Sequence, residues 1–362
     1  MNVVLHLRSC FNPGGTENII VRLFNQPCES YKMILVLMKP GTMMNFLKKG
    51  PNKVFLFKRK KIDFILIIKL LNIIKKEKVD IIHTHQEIEL FYAIFLKIIR
   101  PSVKLVHHIH SFESSKSVWF IIERIICNLF VSKVIAVSNS LSNYLIENGF
   151  LERKIVTIYN VVSITNELST KDIELFRKKI NYSENDFIIG MIGNFVKEKD
   201  QLTLGKAFKI LLSEFKNLKL VFIGEVSGYA QQTKDLFTNL EINRNVFFTG
   251  QIPNANELIP LFDLMVLSSK TETFGIAALE ALYCQKPVIA SEIPAMIELS
   301  NNGKYFPLFP VGNYLRLAEI IRKYIKHEID LNETKIARDY AIREFSIDNY
   351  VKKLAMVYND EV

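Results

Sequence analysis

The chain alternates strand-length apolar runs with longer stretches in which apolar residues recur at helical spacing. Apolar runs of this length predict β-strands, and the stretches between them predict amphipathic helices. Strands and helices that alternate throughout are typical of parallel sheets covered by helices, so the pattern predicts two doubly wound α/β domains. The predicted strands are Val3–Leu7, Met33–Leu37, Ile81–His83, Lys104–His108 and Lys133–Val137 in the first half, and Phe187–Ile192, Lys219–Ile223, Val246–Thr249, Leu264–Leu267 and Val288–Ala290 in the second.

The boundary between the two domains is predicted near residue 165. The segment Asn160–Ser163 ends the strand pattern of the first half, and a polar stretch then leads to a new helix. We therefore assign residues 1–165 to the first domain and residues 166–345 to the second. A last helix over Ser346–Tyr358 is predicted by Ser346 as its N-cap and by the apolar residues at helical spacing that follow.

Composition is that of a globular protein with two full cores. The chain has 362 residues, of which 49% are apolar, enough to bury a core in each domain. Its four cysteines lie far apart, which argues against a disulfide framework or a zinc site built on them. We expect no signal peptide, and charged residues interrupt the apolar stretches 62–74 and 118–137, so we expect no membrane span.

The net charge of +10 belongs to the first half. Residues 1–160 hold 23 Lys and Arg against 11 Asp and Glu, whereas residues 161–362 hold 24 against 26. The densest basic segment, Lys58–Lys61, precedes the apolar stretch Ile62–Ile74, a pattern that suits contact with anionic lipid. An ordinary buried helix flanked by solvated lysines is an equal alternative. We find no motif for nucleic-acid binding.

Two glutamates provide the strongest indication of chemistry. Glu272 and Glu280 stand eight positions apart, with the predicted strand Leu264–Leu267 before them and a helix from Ile276 onward. In α/β sheets, ligands bind where strands end, and the start of the helix suits a phosphate. Alone, the pair also fits a glycosidase-like acid and base, or one glutamate favoured by the helix dipole and one solvated glutamate.

The longer segment Ser268–Ser291 resembles the signature of the family 4 retaining glycosyltransferases, which are nucleotide-sugar-dependent enzymes of the GT-B fold. Two features depart from that signature: Gln285 and the segment Glu292–Ala295 replace glycines. The resemblance implies two Rossmann-like domains that face a deep cleft. It also implies that the last helix, within residues 346–362, crosses back to the first domain.

The resemblance further implies a set of site residues. Glu272 and His110 are the implied catalytic residues, Glu272 as a group that orients the sugar and His110 as a cleft histidine near it. Asn194 stands where the family usually has an arginine, and this exchange loses a bidentate cation. The implied donor-binding residues are Gly14, Gly15, Asn194, Lys199, Phe274, Gly275, Ile276 and Glu280.

His83 and His85 alternate to one face of a predicted strand and invite a metal interpretation. A third ligand at suitable spacing is missing from the sequence around them, and the resemblance implies instead that this segment lines the acceptor side. The chain also lacks an Asp-x-Asp motif. We therefore predict no metal and no other cofactor.

The implied function is retaining, metal-independent transfer from a UDP- or GDP-sugar to a saccharide or lipid-linked saccharide, in the synthesis of a bacterial O-antigen, capsule or exopolysaccharide. The implied location is the cytoplasm, with possible peripheral contact with the inner face of the membrane through the basic first domain. A sugar-nucleotide epimerase of the same fold and a non-catalytic binding protein remain alternatives. A dehydrogenase is disfavoured because no Gly-x-Gly-x-x-Gly follows a strand.

Overall fold

The computed structural model describes residues 1–12, 14–26, 28–58, 63–162, 170–225, 228–252, 255–329 and 332–362. The chain forms two compact units, Met1–Val161 together with Ile347–Val362, and Val162–Ser346. The predicted boundary at residue 165 lies outside the described residues, as does most of the basic segment Lys58–Lys61.

The first unit is built on a seven-stranded parallel sheet. Its strands run side by side in the order β3-β2-β1-β4-β5-β6-β7. The continuous apolar runs of the central strands are buried on both faces, as is typical of a parallel sheet covered by helices. The strands are β1 (Asn2–Arg8), β2 (Tyr31–Leu37), β3 (Lys53–Leu56), β4 (Ile81–Thr84), β5 (Lys104–Ile109), β6 (Lys133–Ala136) and β7 (Ile155–Thr157).

Helices connect these strands. Two of them start at side chains that accept a hydrogen bond from the first turn: Asp63 from the amide of Leu66 at 3.2 Å, and Ser138 from the amide of Leu141 at 3.0 Å. Such caps satisfy amides that have no partner within the helix. The helices are α1 (Gly15–Asn25), α2 (Phe64–Glu77), α3 (Glu87–Ile99), α4 (Val118–Phe130) and α5 (Asn139–Glu147).

The second unit repeats the same architecture with a six-stranded parallel sheet in the order β10-β9-β8-β11-β12-β13. Its strands are β8 (Phe187–Ile192), β9 (Leu218–Ile223), β10 (Val246–Phe248), β11 (Leu264–Leu267), β12 (Val288–Ser291) and β13 (Leu308–Phe309). Its helices are α6 (Thr170–Lys179), α7 (Gln201–Glu214), α8 (Gly228–Asn239), α9 (Ile276–Tyr283), α10 (Pro294–Leu299), α11 (Tyr314–Ile325) and α12 (Asn332–Glu344). Two doubly wound parallel sheets confirm the predicted fold class.

The last helix, α13 (Ile347–Tyr358), belongs to the first unit. Its residues Tyr350, Leu354 and Tyr358 are buried in the core that also holds Tyr31 of β2. The rings of Tyr31 and Tyr358 meet edge to face with centroids 5.0 Å apart. The end of the chain therefore completes the core of its beginning.

The ten predicted strands are all present, with bounds shifted by one or two residues at some ends. Three further strands, β3, β7 and β13, were not predicted. Each is short, β3 is largely exposed and β7 is half-buried, so none produces a long apolar run.

Candidate active site

The order of the strands in the second sheet reverses between β8 and β11, which are neighbours. In open parallel sheets this is the place where loops diverge and where ligands bind. The loop after β8 covers residues 193–200, and the loop after β11 covers residues 268–275. Two of the three predicted charged groups of the second domain, Lys199 and Glu272, lie in these two loops.

Lys199 and Glu272 form an ion pair at the reversal. Nζ of Lys199 lies 2.5 Å from Oε1 of Glu272, and the hydroxyl of Ser269 donates to the same oxygen at 2.7 Å. The two side chains keep 26% and 13% of their surface exposed, so an approaching ligand can reach both. The site thus presents a cation and a carboxylate side by side in a fixed geometry.

Hydrogen bonds tie the two loops to each other. The hydroxyl of Ser268 donates to the carbonyl oxygen of Asp200 at 2.8 Å, and the amide of Lys270 donates to the carbonyl oxygen of Glu198 at 2.7 Å. Because these bonds involve the backbone on both sides of Lys199, they fix the position from which its side chain starts.

Asn194 joins the loop after β8 to the loop after β9. Its Oδ1 accepts a hydrogen bond from the amide of Glu225 at 3.1 Å. Beside it, a Cβ on Gly224 would lie 2.1 Å from the carbonyl oxygen of Gly193, so the two backbones touch and exclude any side chain. At the position where the resemblance implies an arginine, this chain has an asparagine whose side chain binds the backbone of the neighbouring loop.

Helix α9 begins directly after the Glu272 loop. Gly275, the residue before it, has φ +95°, and a Cβ there would lie 2.0 Å from Cε of Met296, so glycine is required. The ring of Phe274 is buried against Phe345 with centroids 5.6 Å apart, which leaves its backbone as the part that can face a ligand. Ile276 and Glu280 are half-buried on the first and second turns of α9.

The first sheet has its own reversal, between β1 and β4. Gly14 precedes α1 as its N-cap and Gly15 is its first residue. A Cβ on Gly14 would lie 2.5 Å from Oε2 of Glu17, so the glycine allows that carboxylate to approach the backbone. Both predicted glycines therefore lie at the point where the first sheet reverses.

A buried ionic cluster holds this end of the first sheet together. Arg8, the last residue of β1, forms ion pairs with Glu17 and Glu89, with Nη1 3.1 Å from Oε1 of Glu89. Glu89 also accepts hydrogen bonds from the amides of Ser9 and His85, both at 2.7 Å. Since those amides follow β1 and β4, Glu89 fixes the spacing of the two strand ends. The sequence analysis missed this cluster, because its members are separated by up to 81 residues.

Six of the seven histidines of the chain are concentrated on β1, β4 and β5 or directly after them. Five share one face of the sheet and stack on one another; the rings of His83 and His85 have centroids 4.5 Å apart, and those of His108 and His110 are 4.1 Å apart. His107 points to the other face, where its Nε2 lies 2.9 Å from Oε1 of Glu123.

Hydrogen bonds connect four of these rings through one tyrosine. The hydroxyl of Tyr358 lies 2.7 Å from Nδ1 of His83 and 3.3 Å from Nε2 of His6. Nδ1 of His6 lies 3.2 Å from Nε2 of His85, whose Nδ1 lies 3.1 Å from Nε2 of His110. A continuous chain of contacts therefore runs from α13 through the sheet to His110.

Burial makes these imidazoles neutral. It lowers the pKa of His6 and of His110 to about 3 in each case, with the positive charge of Arg8 acting in the same direction. Burial also holds the pKa values of His83, His85 and His108 well below the ordinary histidine value. In this environment His110 acts as a neutral hydrogen-bonding group.

His110 and His85 line a cavity of about 260 Å³ at this end of the first sheet. Thr16, Glu87 and Glu113 also line it. Glu87 and Glu113 share a hydrogen bond, which raises the pKa of Glu113 to about 7 and lowers that of Glu87. The cavity is lined mainly by polar side chains and offers both donors and acceptors to a hydroxylated ligand.

The sequence prediction that a third ligand beside His83 and His85 is missing holds only along the chain. The fold brings His6 from β1, His108 from β5 and His110, which directly follows β5, next to this pair. They form two groups of three whose ligand atoms lie within 4.8 Å of one another. A signal was available, because His6 and His108 both occupy predicted strands, but strand order is needed to place them side by side.

Two family models match the chain, the group 1 glycosyl transferases over residues 172–343 and glycosyltransferase family 4 over residues 14–166. The chain belongs to the group 1 glycosyltransferases. It is therefore an enzyme that transfers sugars, as the sequence analysis predicted.

Among the curated relatives of this glycosyltransferase is N-acetyl-alpha-D-glucosaminyl L-malate synthase of Bacillus anthracis, with 28% identity over 85% of the chain and 82% of the relative. The capsular polysaccharide biosynthesis glycosyltransferase CapH of Staphylococcus aureus is 26% identical over 84% of both chains. Among solved structures, HepE of Anabaena in complex with UDP and glucose matches with TM-score 0.83 and 22% identity, over 99% of the chain and 100% of HepE. The structural likeness supports the GT-B fold.

Proposed function

We propose that this protein is a retaining, metal-independent glycosyltransferase that moves a hexose from a nucleotide sugar to a saccharide or lipid-linked saccharide in bacterial surface polysaccharide synthesis. One observation carries the donor part of the proposal. The Lys199–Glu272 ion pair lies at the reversal of the second sheet, beside the start of α9. In this arrangement of the two loops, a diphosphate bound by Lys199 and a sugar bound by Glu272 would lie next to each other.

The diphosphate takes the cationic side of the pair. Nζ of Lys199 and the first amides of α9, which have no carbonyl four residues before them within the helix, both favour negative charge. When the phosphate engages Lys199, Glu272 is released toward the hydroxyls of the sugar, while Ser269 still holds its Oε1. Glu280 binds the ribose. The likeness to HepE, solved with UDP and glucose, supports a UDP-sugar, with a GDP-sugar as the second option.

Transfer develops negative charge on the leaving phosphate and positive charge at the anomeric carbon. Lys199 and α9 stabilise the first by charges that are already in place, a contribution that is typically large in enzymes. Same-face attack allows the departing phosphate to take the proton of the acceptor hydroxyl, so the configuration is retained without a dedicated carboxylate base. His110, neutral and half-buried, donates or accepts a hydrogen bond at the sugar.

The proposal for the acceptor rests on a curated relative and on an exposed apolar face of the first unit. CapH is named for capsular polysaccharide biosynthesis, which supports a saccharide acceptor. Helix α4 of the first unit exposes an apolar stripe at helical spacing, formed by Val118, Ile122, Ile125 and Leu129, with Trp119 beside it. Such a face on a basic domain suits peripheral contact with anionic lipid, where a lipid-linked acceptor resides. Among the helices of the described residues, none combines the length and the apolarity needed to cross a bilayer.

A donor screen tests the proposal. Purified protein is incubated with a panel of UDP- and GDP-sugars, with and without EDTA, and slow donor hydrolysis is followed together with the anomeric configuration of the product. We expect hydrolysis of one nucleotide sugar, unaffected by EDTA, with retention. Glu272→Gln should slow it about 100-fold, whereas Glu214→Gln, a surface carboxylate paired with Arg322, should leave it unchanged.

The alternatives give different results in the same screen. A binding protein binds a nucleotide sugar without hydrolysing it. An epimerase returns a sugar that is inverted at one carbon, either still attached to the nucleotide or released from it. Loss of activity in EDTA with recovery on Mg²⁺ addition would remove metal independence from the proposal, and an inverted product would remove retention.

A further inference from the structure

We propose that His85, His108 and His110 bind a transition-metal ion of the imidazole-preferring kind, such as Zn²⁺, beside the cavity of the first unit. One nitrogen from each ring lies within 4.8 Å of the others. Nδ1 of His85 and Nε2 of His110 are only 3.1 Å apart, close to the edge of about 3.3 Å between two ligands of tetrahedral zinc with Zn–N bonds near 2.0–2.1 Å. Imidazole rings turn easily about their last torsion, which can bring His108 to the same distance.

The environment of His108 is the main reason for an ion. The ring is fully buried, yet within the described residues neither of its nitrogens has a hydrogen-bond partner. Buried polar atoms are almost always satisfied, and an exception is often explained by a missing water or ion. A metal ion would satisfy one of these nitrogens directly.

The proton pattern of the neighbouring rings is compatible with such an ion. A neutral imidazole has one N–H and one lone pair, so a metal on Nδ1 of His85 places the hydrogen on its Nε2. That N–H then donates to Nδ1 of His6, whose Nε2–H donates to the hydroxyl oxygen of Tyr358, whose hydrogen is donated to Nδ1 of His83. Every contact in this chain is then satisfied in one direction.

The other group of three histidines also has a buried nitrogen without a hydrogen-bond partner among the described residues, Nε2 of His83, but it lacks this consistency of protons. If His6, His83 and His85 held the ion through Nδ1 of His6 and Nε2 of His83, both remaining N–H groups would point at the oxygen of Tyr358. The hydroxyl hydrogen of Tyr358 would then lose both of its partners. The arrangement of protons therefore favours His85, His108 and His110. It leaves His6 to accept the other N–H of His85 and to orient that ring, the role that outer partners of metal-bound histidines have.

Access and charge agree with this choice. His85 and His110 line the cavity of about 260 Å³, so an ion can enter and a water can complete a four-coordinate site. Arg8 brings a positive charge to this region, and Glu17 and Glu89 pair with it. Occupation takes Nε2 of His110 away from the sugar, and this consequence rests on the proposed function: the ion would inhibit transfer.

The test is direct metal binding by the full chain after removal of any polyhistidine tag. Isothermal titration with Zn²⁺, and Co²⁺ as a spectroscopic probe, should show one site per chain and the visible bands of tetrahedral cobalt. His108→Phe keeps the stacked ring but removes both nitrogens, and should weaken binding at least about 10-fold. His327→Phe, a substitution of the seventh and exposed histidine, should bind as the wild type does. Circular dichroism confirms folding, and His110→Asn serves if His108→Phe does not fold.

The absence of a stoichiometric site, or equal binding by the wild type and His108→Phe, overturns the proposal. Inhibition of donor hydrolysis is measured separately. If Zn²⁺ binds at this site without slowing hydrolysis, the metal site stands and the role proposed for His110 is wrong. If the protein hydrolyses no donor, metal binding still decides the present proposal.

Discussion

The two units share one topology and place opposite kinds of chemistry where their sheets reverse. In the second unit the reversal holds a partly exposed ion pair, Lys199 and Glu272, near a core in which Phe195, Phe222 and Phe248 pack together. In the first unit the reversal holds a buried ionic cluster around Arg8 and a stack of neutral histidines. The comparison shows that two sheets of similar topology can stabilise polar groups at the same place in two ways, by contact with solvent or by contact with one another.

The largest expected effect comes from the second unit. Lys199→Ala removes the cation proposed to stabilise the leaving phosphate, and should lower kcat for donor hydrolysis by a factor on the order of 100–1,000. Lys270→Ala provides the matched control, because Lys270 is more exposed and lies 3.8 Å from Asp200. Equal kcat values for the two variants would contradict a special role for Lys199.

Acid should unfold the first unit before the second. The histidines on its sheet have pKa values below that of an unfolded chain, near 6.5, so the unfolded state takes up more protons as the pH falls. Their stability is fully present above pH 6.5 and is lost as the pH falls toward 3, by about 1.4 kcal/mol per histidine and pH unit.

Hydrogen exchange by mass spectrometry in EDTA, corrected for intrinsic exchange rates, measures this difference between pH 7 and 5. Peptides from β4 and β5 should lose protection while peptides from β8 and β11 keep it. His83→Phe should reduce the pH dependence of the first unit, because it removes one such group. Simultaneous loss of protection in both sheets would contradict the comparison.

Gly275→Ala should destabilise the second unit by about 3 kcal/mol, since it adds a clash with Met296 to the strain of a positive φ. Gly250→Ala separates the two terms: Gly250 has φ +75°, but a Cβ there meets no heavy atom within 4 Å, and its expected cost is about 1 kcal/mol. Urea denaturation compares the free energies of unfolding. A Gly275→Ala cost no larger than that of Gly250→Ala would show that Met296 moves aside.

The smallest effect concerns the surface. Trp119→Ser in α4, at a side chain 65% exposed, should weaken binding to anionic vesicles several-fold and leave the unfolding free energy nearly unchanged. Leu315→Ser, at a 58% exposed side chain of α11 in the second unit, should not alter vesicle binding. Co-sedimentation with vesicles of anionic lipid at low salt measures both, and failure of the wild type to bind would remove the membrane contact from the proposal.

Local pattern was sufficient for the main strands and for the loop–helix signature around Glu272. It could not reveal β3, β7 and β13, since short, exposed or half-buried strands do not need an apolar run. Nor could it predict that Lys199 and Glu272 touch, because 73 residues separate them and only the reversal between β8 and β11 brings them together. The stack of histidines could not be predicted for the same reason, because it depends on the order of three strands in the sheet.

The ion pair between Lys199 and Glu272 has a consequence for the sequence of binding and release. In the proposed cycle, Lys199 and Glu272 pair with each other while no ligand is bound. A ligand must therefore replace the partner of each side chain. An intact nucleotide sugar offers a phosphate to Lys199 and hydroxyls to Glu272 at once, and it replaces both. After transfer, the nucleotide alone offers Glu272 no sugar hydroxyl, and the carboxylate competes with the phosphate for Lys199. The site therefore distinguishes the intact donor, which binds both Lys199 and Glu272, from the spent nucleotide, which binds only Lys199 of this pair.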